Sequence, residues 1–225
     1  GGESWSFPER LSDSLPGCLV TADLIDGDMP LLLGTTRVTD IDQRAYLLAW
    51  DGARWSEPQL QPELAAFGNA ETNQTVILQC LQGIASGDTF SVIGCDAGVG
   101  GDIWWLRRQM ADMTGWFVSS SVWQGPDRIA VIDAAPGEMS LLADELGAPH
   151  LYWYETGGST IAYSRREGEA WSPVIPVITA REGTINAFSA ATGDGRISAR
   201  PARVSRRSGR LPWRSLPPTR RAPRR

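Results

Sequence analysis

The sequence has no lysine, one histidine and no Cys-x-x-Cys pair, and these absences exclude several kinds of chemistry. Zinc sites normally draw on several nitrogen or sulfur ligands, which His150 and three isolated cysteines cannot supply. Any Ser-His-Asp mechanism would have to use His150, whose place at the head of an apolar run favours a structural role. The acidic groups Asp23–Asp28 and Asp40–Asp42 depart from the calcium-loop spacing and are typical of turns. We predict no metal and no cofactor.

Long apolar runs are also absent. The longest, Leu31–Leu33 and Val76–Leu78, fall far short of the roughly 18 residues that a membrane helix needs. No basic region followed by an apolar stretch opens the chain, so we expect neither a signal peptide nor a membrane segment in it. With 225 residues and 42% hydrophobic content, the composition is that of a globular protein with a substantial core.

Charge is divided unequally along the chain. Residues 1–195 carry 10 Arg against 26 acidic residues, whereas residues 196–225 carry 11 Arg and no acid. A segment so rich in Arg, Pro and Ser buries too little apolar surface to fold by itself. We predict a folded domain over 1–195 and a tail over 196–225 that is disordered or an unnatural continuation, as after a frameshift. A basic arm is the less favoured alternative, so no nucleic-acid partner is expected.

The three cysteines cannot all pair within one chain. We interpret Cys18, Cys80 and Cys95 as small buried hydrophobic residues. A Cys80–Cys95 bridge across adjacent strands is the alternative.

A tryptophan motif recurs along the chain. Three tryptophans have Gly three residues before and Ser directly after, and a fourth shares the nearby Pro. Their spacings of 50, 68 and 48 residues are close to the roughly 40–50-residue periods of kelch and WD-type repeats, with an insertion in the long unit. We expect Gly to provide the positive φ of a hairpin turn and Trp to fill the gap between neighbouring sheets. The repeat positions are Gly2, Trp5, Gly52, Trp55, Trp123, Gly168 and Trp171.

Short apolar and aromatic runs lie between these tryptophans, and no stretch has a helical period. Runs of this length bounded by Gly, Asp or Pro are typical of buried strands. We predict an all-β fold, a β-propeller of four-stranded blades, with three full repeats plus parts of the flanking blades. Asp96–Asp102 is predicted to be a hairpin loop. The predicted strands are Met29–Leu33, Ala45–Trp50, Ile103–Leu106, His150–Tyr154 and Thr160–Ser164.

The repeat around Trp171 resembles the Asp-box, or BNR, repeat of the sialidase-like propeller superfamily, whose pattern is Ser-x-Asp-x-Gly-x-Thr-Trp. Ser164, Gly168 and Trp171 match it, whereas Arg166 stands where the Asp belongs and Ala170 where the Thr belongs. The resemblance covers residues 1–195. It implies a partial propeller from a bacterial parent of about six or seven blades, with an extracellular or cell-surface location.

The resemblance does not extend to sialidase chemistry. An Arg-Ile-Pro element is absent from the sequence. Tyr154 and Glu155 are adjacent on a predicted strand, so their side chains point to opposite faces and do not readily form the Tyr–Glu pair of a sialidase. The arginines that could grip a carboxylate are interpreted as exposed residues of blade edges. They are Arg37, Arg44, Arg107 and Arg108.

The favoured function is a non-catalytic or degenerate propeller that binds a ligand, with carbohydrate as the leading class and another protein as a further partner. The alternative is a glycoside hydrolase of the exo-sialidase type whose active site lies partly outside this segment. A second alternative is a structural or sensory ectodomain of a longer bacterial protein. We assign no catalytic residue. Aromatic rings beside Arg or acidic groups are typical of sugar sites, although at least half must pack between blades. The candidate ligand-binding residues are Trp104, Trp105, Arg107, Tyr152, Tyr154 and Glu155.

Overall fold

A computed structural model describes residues 18–25, 29–37, 43–50, 55–96, 101–109, 123–193 and 196–205. Within these ranges every regular element is a strand except the short 3-10 helix Pro62–Leu64, which confirms the all-β prediction. No helix among them has the length and hydropathy of a membrane span. Gly2, Trp5 and Gly52 of the tryptophan repeat lie outside the described residues, as do residues 206–225.

The first sheet is an antiparallel meander in which consecutive strands pair. Trp50 and Trp55 form an isolated bridge just before its last strand. Ser56 closes this hairpin: its N–H donates to the carbonyl oxygen of Ala49 at 2.9 Å, and its hydroxyl accepts from the N–H of Ala49 at 3.3 Å. The strands are β1 (Cys18–Ile25), β2 (Met29–Arg37), β3 (Gln43–Ala49) and β4 (Gln59–Leu60).

The second sheet is a five-stranded antiparallel meander. Its third and fourth strands, which flank Asp96–Asp102, pair with each other as the predicted hairpin requires, and residues 97–100 lie outside the described residues. Its strands are β5 (Ala66–Asn69), β6 (Gln74–Ser86), β7 (Thr89–Asp96), β8 (Asp102–Gln109) and β9 (Gln124–Val131).

The third sheet repeats the hairpin closure of the first. Its third strand turns at Gly168, whose φ of +60° is the left-handed conformation that the sequence predicts there. The N–H of Ser172 donates to the carbonyl oxygen of Arg165 at 2.8 Å, and its hydroxyl accepts from the N–H of Arg165 at 3.2 Å. The Ser that follows Trp therefore closes the hairpin in both sheets with the same two hydrogen bonds. The strands are β10 (Pro136–Ala143), β11 (Pro149–Glu155), β12 (Thr160–Glu167), β13 (Ala170–Trp171) and β14 (Ile175–Thr179), with both β13 and β14 paired to β12.

The last described sheet is a hairpin of β15 (Thr184–Gly193) and β16 (Arg196–Ser205). It corrects the predicted boundary at residue 195, because the first ten residues of the predicted tail form β16. The composition of the tail predicts only whether it folds by itself, whereas β15 supplies backbone partners along β16, from Gly193↔Arg196 to Thr184↔Ser205. Pairing with an existing strand needs little apolar surface of its own.

The sheets pack face to face in chain order. The strands β1, β6, β10 and β15 contact one another in sequence, one from each sheet. Three apolar clusters fill the spaces between successive sheets, centred on Leu47 and Val92, on Trp153 and Ile93, and on Ile161. Antiparallel meanders stacked in this way are propeller-like. The predicted strands all lie within or at the end of observed ones, whereas the number of blades in the parent stays a prediction.

The aromatic residues alternate between these cores. Successive side chains of a strand point to opposite faces. On β8, Trp104 belongs to the cluster between the first two sheets and Trp105 to the cluster between the second and third. On β11, Trp153 faces the second sheet, and Tyr152 and Tyr154 face the hairpin β15–β16. The expectation that at least half of them pack between sheets is confirmed.

Candidate functional site

A groove of about 520 Å³ lies between the second sheet and the β12–β13 hairpin. The curl of the second sheet forms one wall. Although β5 and β9 are opposite edges of that sheet, Arg128 of β9 pairs with Glu71, directly after β5, at 3.1 Å. Arg128 also pairs with Asp102 at 3.3 Å. The groove lining includes Asn69, Glu71, Trp104, Asp127, Arg128, Arg166, Glu169 and Trp171.

Arg166 is the most enclosed charged group in the groove, with 7% of its side chain exposed. Its Nε donates to the carbonyl oxygen of Gly168 at 3.0 Å, and its Nη1 pairs with Asp127 of the second sheet at 3.3 Å. Its guanidinium carbon lies 4.5 Å from the ring centre of Trp105. A desolvated cation over an indole contributes about 2 kcal/mol. Arg166 thereby joins the second and third sheets through charge and stacking together.

Glu169 stands at the tip of the turn that Gly168 makes possible. Its carboxylate is 3.5 Å from Nη2 of Arg166 and 3.5 Å from Nη2 of Arg107. Arg107 in turn donates to Gln124 at 2.9 Å and lies 5.1 Å from the ring centre of Trp105. Two arginines therefore share one carboxylate and one indole ring at the mouth of the groove.

The tryptophans of the repeat occupy two kinds of position. Trp171 packs edge to face on Trp105 of the second sheet at 5.8 Å, and the Nε1 of Trp123 donates to Gln61, beyond β4, at 3.1 Å. These two fill gaps between sheets, as predicted. Trp55 does not, because it packs on Trp50 of its own sheet at 5.7 Å. The two tryptophans differ in the residue that pairs with them across the hairpin. Trp55 lies opposite Trp50, whereas Trp171 lies opposite Arg166.

The predicted ligand-binding residues divide between two places. Trp104 lines the groove, Trp105 supports Arg166, and Arg107 reaches the groove through Glu169. Tyr152 and Tyr154 lie between the third sheet and the β15–β16 hairpin, and Glu155 bonds to the segment before β10; none of the three lines the groove. Tyr152 stacks on Tyr163 at 4.8 Å, the Tyr154 hydroxyl donates to the carbonyl oxygen of Asn186 at 2.6 Å, and Glu155 accepts from the N–H of Ala134 at 3.1 Å.

Several groove residues were missed from the sequence. Asp127 and Arg128 follow Trp123 in the repeat, and Arg166 and Glu169 belong to the repeat around Trp171. The departure of Arg166 from the Asp-box pattern was the available signal, because a charged replacement at a repeat position needs a partner. Its partner Asp127 is 39 residues away in the chain and could not be named from the sequence.

Two expectations about surface residues need correction. Arg108 is 8% exposed, and its Nη1 donates to Gln61 at 3.3 Å, so it is a buried residue rather than one of a blade edge. Arg44 is exposed as predicted, and the side chain of Arg37 lies outside the described residues.

Cys95 is buried as predicted, whereas Cys80 is exposed, and both are free thiols. A bulge in β6 turns Cys80 outward.

His150 is held in a hydrogen-bonded chain at the start of β11. The Tyr163 hydroxyl and Nδ1 of His150 are 2.7 Å apart, and Nε2 is 3.3 Å from the Asp144 carboxylate. In this chain the Tyr163 hydroxyl and Nδ1 share one hydrogen bond, and Nε2 donates to the Asp144 carboxylate. Burial raises the pKa of Asp144, but hydrogen bonds from the N–H groups of Ala148 and Leu146 and from His150 outweigh it and lower that pKa.

We expect this network to give a pH-dependent contribution to stability. A carboxyl group whose pKa is lowered by folding stabilises the fold above its unfolded pKa of about 3.9, and the contribution is lost as the pH falls through the folded pKa. Asp144→Ala should therefore lower stability by about 1 kcal/mol at pH 7, and the difference should shrink below about pH 4. Urea unfolding of both proteins from pH 7 to pH 3 measures it. A difference that stays constant over this range would contradict the assignment.

The described residues contain no group of three or more His, Cys, Asp and Glu side chains arranged to hold a metal ion. The acidic groups Asp26–Asp28 and Asp40–Asp42 lie outside them.

Comparison with known proteins identifies no family for the chain. No family model matches the sequence, and no curated protein matches it. A solved structure that resembles it is the NanB sialidase from Streptococcus pneumoniae, with 19% sequence identity and a TM-score of 0.42. The match covers 70% of this chain and 23% of the sialidase, so the chain spans about a quarter of that protein's length. A likeness of this strength assigns neither an activity nor a substrate to the chain.

Proposed function

We propose that the chain is a non-catalytic, propeller-like module whose groove between the second and third sheets binds carbohydrate. The observation that supports this is the composition of the groove. Two indole rings, Trp104 and Trp171, lie beside carboxylate, amide and guanidinium groups in a space of about 520 Å³. Ligand sites typically measure about 300–1,000 Å³ and combine apolar or aromatic walls with a few polar groups.

The chemistry of a sugar matches such a wall. One face of a pyranose ring carries C–H groups that pack on an aromatic ring, while its hydroxyls both donate and accept. Asp127 and Glu169 offer acceptors, Arg128 offers donors, and the amide of Asn69 offers both. Trp171 is only half-buried, so part of its ring is open to a ligand.

The groove is organised before a ligand arrives. Arg166 is held by Gly168, Asp127, Glu169 and the ring of Trp105 at once. Side chains that are already fixed lose little conformational entropy on binding, which favours affinity. In this arrangement the two carboxylates serve as partners of Arg166. A glycosidase instead uses one carboxyl group as acid and another as base or nucleophile. We therefore favour binding over hydrolysis.

The test is a glycan array probed with the intact chain, followed by titration calorimetry of any hit. Arg128→Ala should weaken binding about tenfold or more, because a hydrogen bond to a charged group contributes about 1.5–3 kcal/mol. Arg181→Ala is the matched control, since Arg181 is also exposed but lies between β14 and β15, outside the groove lining. Loss of a surface arginine should change stability little in either variant.

Each outcome separates the alternatives. Absence of array signal above background would count against carbohydrate as the ligand class. Equal affinities of the two arginine variants would place any binding outside the groove. Release of the aglycone from aryl glycosides by the intact chain would favour the glycoside hydrolase instead.

A further inference from the structure

A β-bulge in β6 places two cysteines side by side. The pairing of β6 with β7 shifts register between Gln79 and Gln82, so that Cys80 and Leu81 together lie opposite the single residue Gly94, which leaves one residue extra. Cys80 has a φ of +55°, a left-handed conformation that is uncommon for residues other than glycine. Bulges of this kind re-aim a side chain. Backbone strain of this kind, where it occurs, clusters at functional sites.

The neighbouring strand accommodates this bulge. A Cβ atom on Gly94 would lie 2.8 Å from Cδ2 of Leu81, so the inward turn of Leu81 depends on the missing side chain. With Leu81 turned into the core at 4% exposure, Cys80 is turned outward. The two consecutive bulge residues therefore have opposite environments.

The second thiol lies directly beside the first. Cys95 of β7 is the register partner of Gln79, the residue before Cys80. Cys80 therefore lies one residue from the strand position that pairs with Cys95, and no disulfide joins the two. Cys80 is exposed and Cys95 is 2% exposed. The pair thus consists of one thiol that a solute can reach and one that it cannot.

The two thiols are unequal in acidity. Donation from Cys95 lowers the pKa of Cys80 to about 7, against a smaller effect of burial, which raises it. Donation to Cys80, burial, and the charges of the Cys80 thiolate and Asp96 raise the pKa of Cys95. The exposed sulfur is therefore the one that ionises first.

We propose that Cys80 and Cys95 form a reversible redox-modification site, in which a peroxide oxidises Cys80 and Cys95 then closes a disulfide across β6 and β7. The geometry supports it: an exposed thiol, a second thiol on the paired strand one register position away, and a bulge that holds the first outward. A thiol that is accessible and stands next to a resolving cysteine is the pattern of redox-responsive pairs.

The chemistry proceeds in two steps. The Cys80 thiolate attacks one oxygen of hydrogen peroxide, the O–O bond breaks, and the sulfenic acid forms while hydroxide leaves. The Cys95 sulfur then attacks Sγ of Cys80, the S–O bond breaks, and the departing hydroxide takes the Cys95 proton to form water. The two thiols lose two electrons in total, the peroxide gains them, and the products are one disulfide and two waters.

The experiment uses the full chain carrying Cys18→Ser, so that only the two thiols remain. Hydrogen peroxide is added in increasing amounts, free thiols are blocked with N-ethylmaleimide, and the intact mass is measured. We expect both N-ethylmaleimide adducts to disappear together and the mass of the unlabelled chain to fall by two hydrogen atoms. Both adducts should return in full after reduction with dithiothreitol. The further change Cys95→Ser should leave a sulfenic acid at Cys80 that dimedone traps. Cys80→Ser should keep Cys95 reduced at the peroxide concentration that fully converts the parent.

A second readout does not depend on oxidation. The rate of alkylation by iodoacetamide should rise with pH around a midpoint near 7 in the Cys18→Ser protein. In Cys18→Ser/Cys95→Ala, which leaves no side-chain donor at position 95, the midpoint should move toward about 8.5. At pH 7, Cys80 in the pair is a thiolate about 15 times more often than a thiol with the ordinary pKa of about 8.5. A thiolate of lower pKa is roughly fivefold less nucleophilic, so the expected gain in alkylation rate is about threefold.

The outcomes are distinct. Two intact thiols after peroxide, or a disulfide between two chains instead of within one, would overturn the proposal. An alkylation midpoint unchanged by Cys95→Ala would show that Cys95 does not act on the Cys80 thiol. If a variant at Cys80 or Cys95 fails to fold, shown by loss of its far-UV circular dichroism, the mass and the alkylation profile of the Cys18→Ser protein still decide.

Discussion

Replacement of Trp153 by alanine is expected to lower the free energy of unfolding by about 3–5 kcal/mol. Trp153 lies on β11 and is 2% exposed, in the cluster that joins the second and third sheets. Truncation removes its apolar contacts with both sheets and leaves a cavity that neither sheet can close without moving the other. Urea unfolding followed by far-UV circular dichroism measures the loss, since this signal does not depend on tryptophan fluorescence.

Trp55→Ala is the matched control for this experiment. The same atoms are removed, but Trp55 is only half-buried and packs on Trp50 within one sheet. We expect a loss of about 1 kcal/mol, in the range of an aromatic pair contact with partial burial. Similar losses in the two variants would mean that packing between sheets stabilises the fold no more than packing within one. Because domains are typically stable by about 5–15 kcal/mol, Trp153→Ala should be marginally folded.

The second large effect is expected at Gln82, where the side-chain amide joins two sheets. Its Nε2 donates to the carbonyl oxygen of Met139, and its Oε1 accepts from the N–H of Leu141 at 3.1 Å. Both groups belong to β10, the edge strand of the third sheet, and among the described strands none pairs with its outward backbone groups. Gln82→Ala should cost about 2–4 kcal/mol, since two partly buried backbone groups lose their partners at about 1–3 kcal/mol each.

Gln82→Leu separates hydrogen bonding from packing. Leucine keeps most of the volume and none of the hydrogen bonds, so we expect it to lose nearly as much stability as alanine. A leucine variant as stable as the parent would show that Gln82 acts by filling space. Gln124→Leu is the surface control: Gln124 is exposed and accepts one bond from Arg107 at 2.9 Å, so its loss should stay below about 1 kcal/mol.

Local patterns predicted the strands well because their signals are short-range. The run His150–Tyr154 lies inside β11, and Gly168 has the positive φ that a hairpin turn needs. The Ser after Trp was visible as part of the repeat, but its paired hydrogen bonds to the end of the preceding strand were not predicted. The tail shows the limit of such signals. Its composition predicted no strand over residues 196–205, because the partner that stabilises β16 is another strand.

The candidate site could be predicted only in part. Trp104, Trp105 and Arg107 were singled out as aromatic and basic residues of one strand, and they lie in or next to the groove. Tyr152 and Tyr154 were singled out on the same grounds and pack in a core instead. Composition alone does not separate the two groups, since each strand sends alternate residues to different neighbours.

The sequence by itself determined that this protein is built from antiparallel strands in a repeating tryptophan pattern, because alternation and turn chemistry act over a few residues. Only the tertiary structure decided where its polar groups meet. Arg166 and Asp127 are 39 residues apart and face each other because the second and third sheets stack. Arg128 and Glu71 meet because the second sheet curls until its edges approach. Stacking and curl depend on how whole sheets fill the space between them, and no short segment of the chain contains that information.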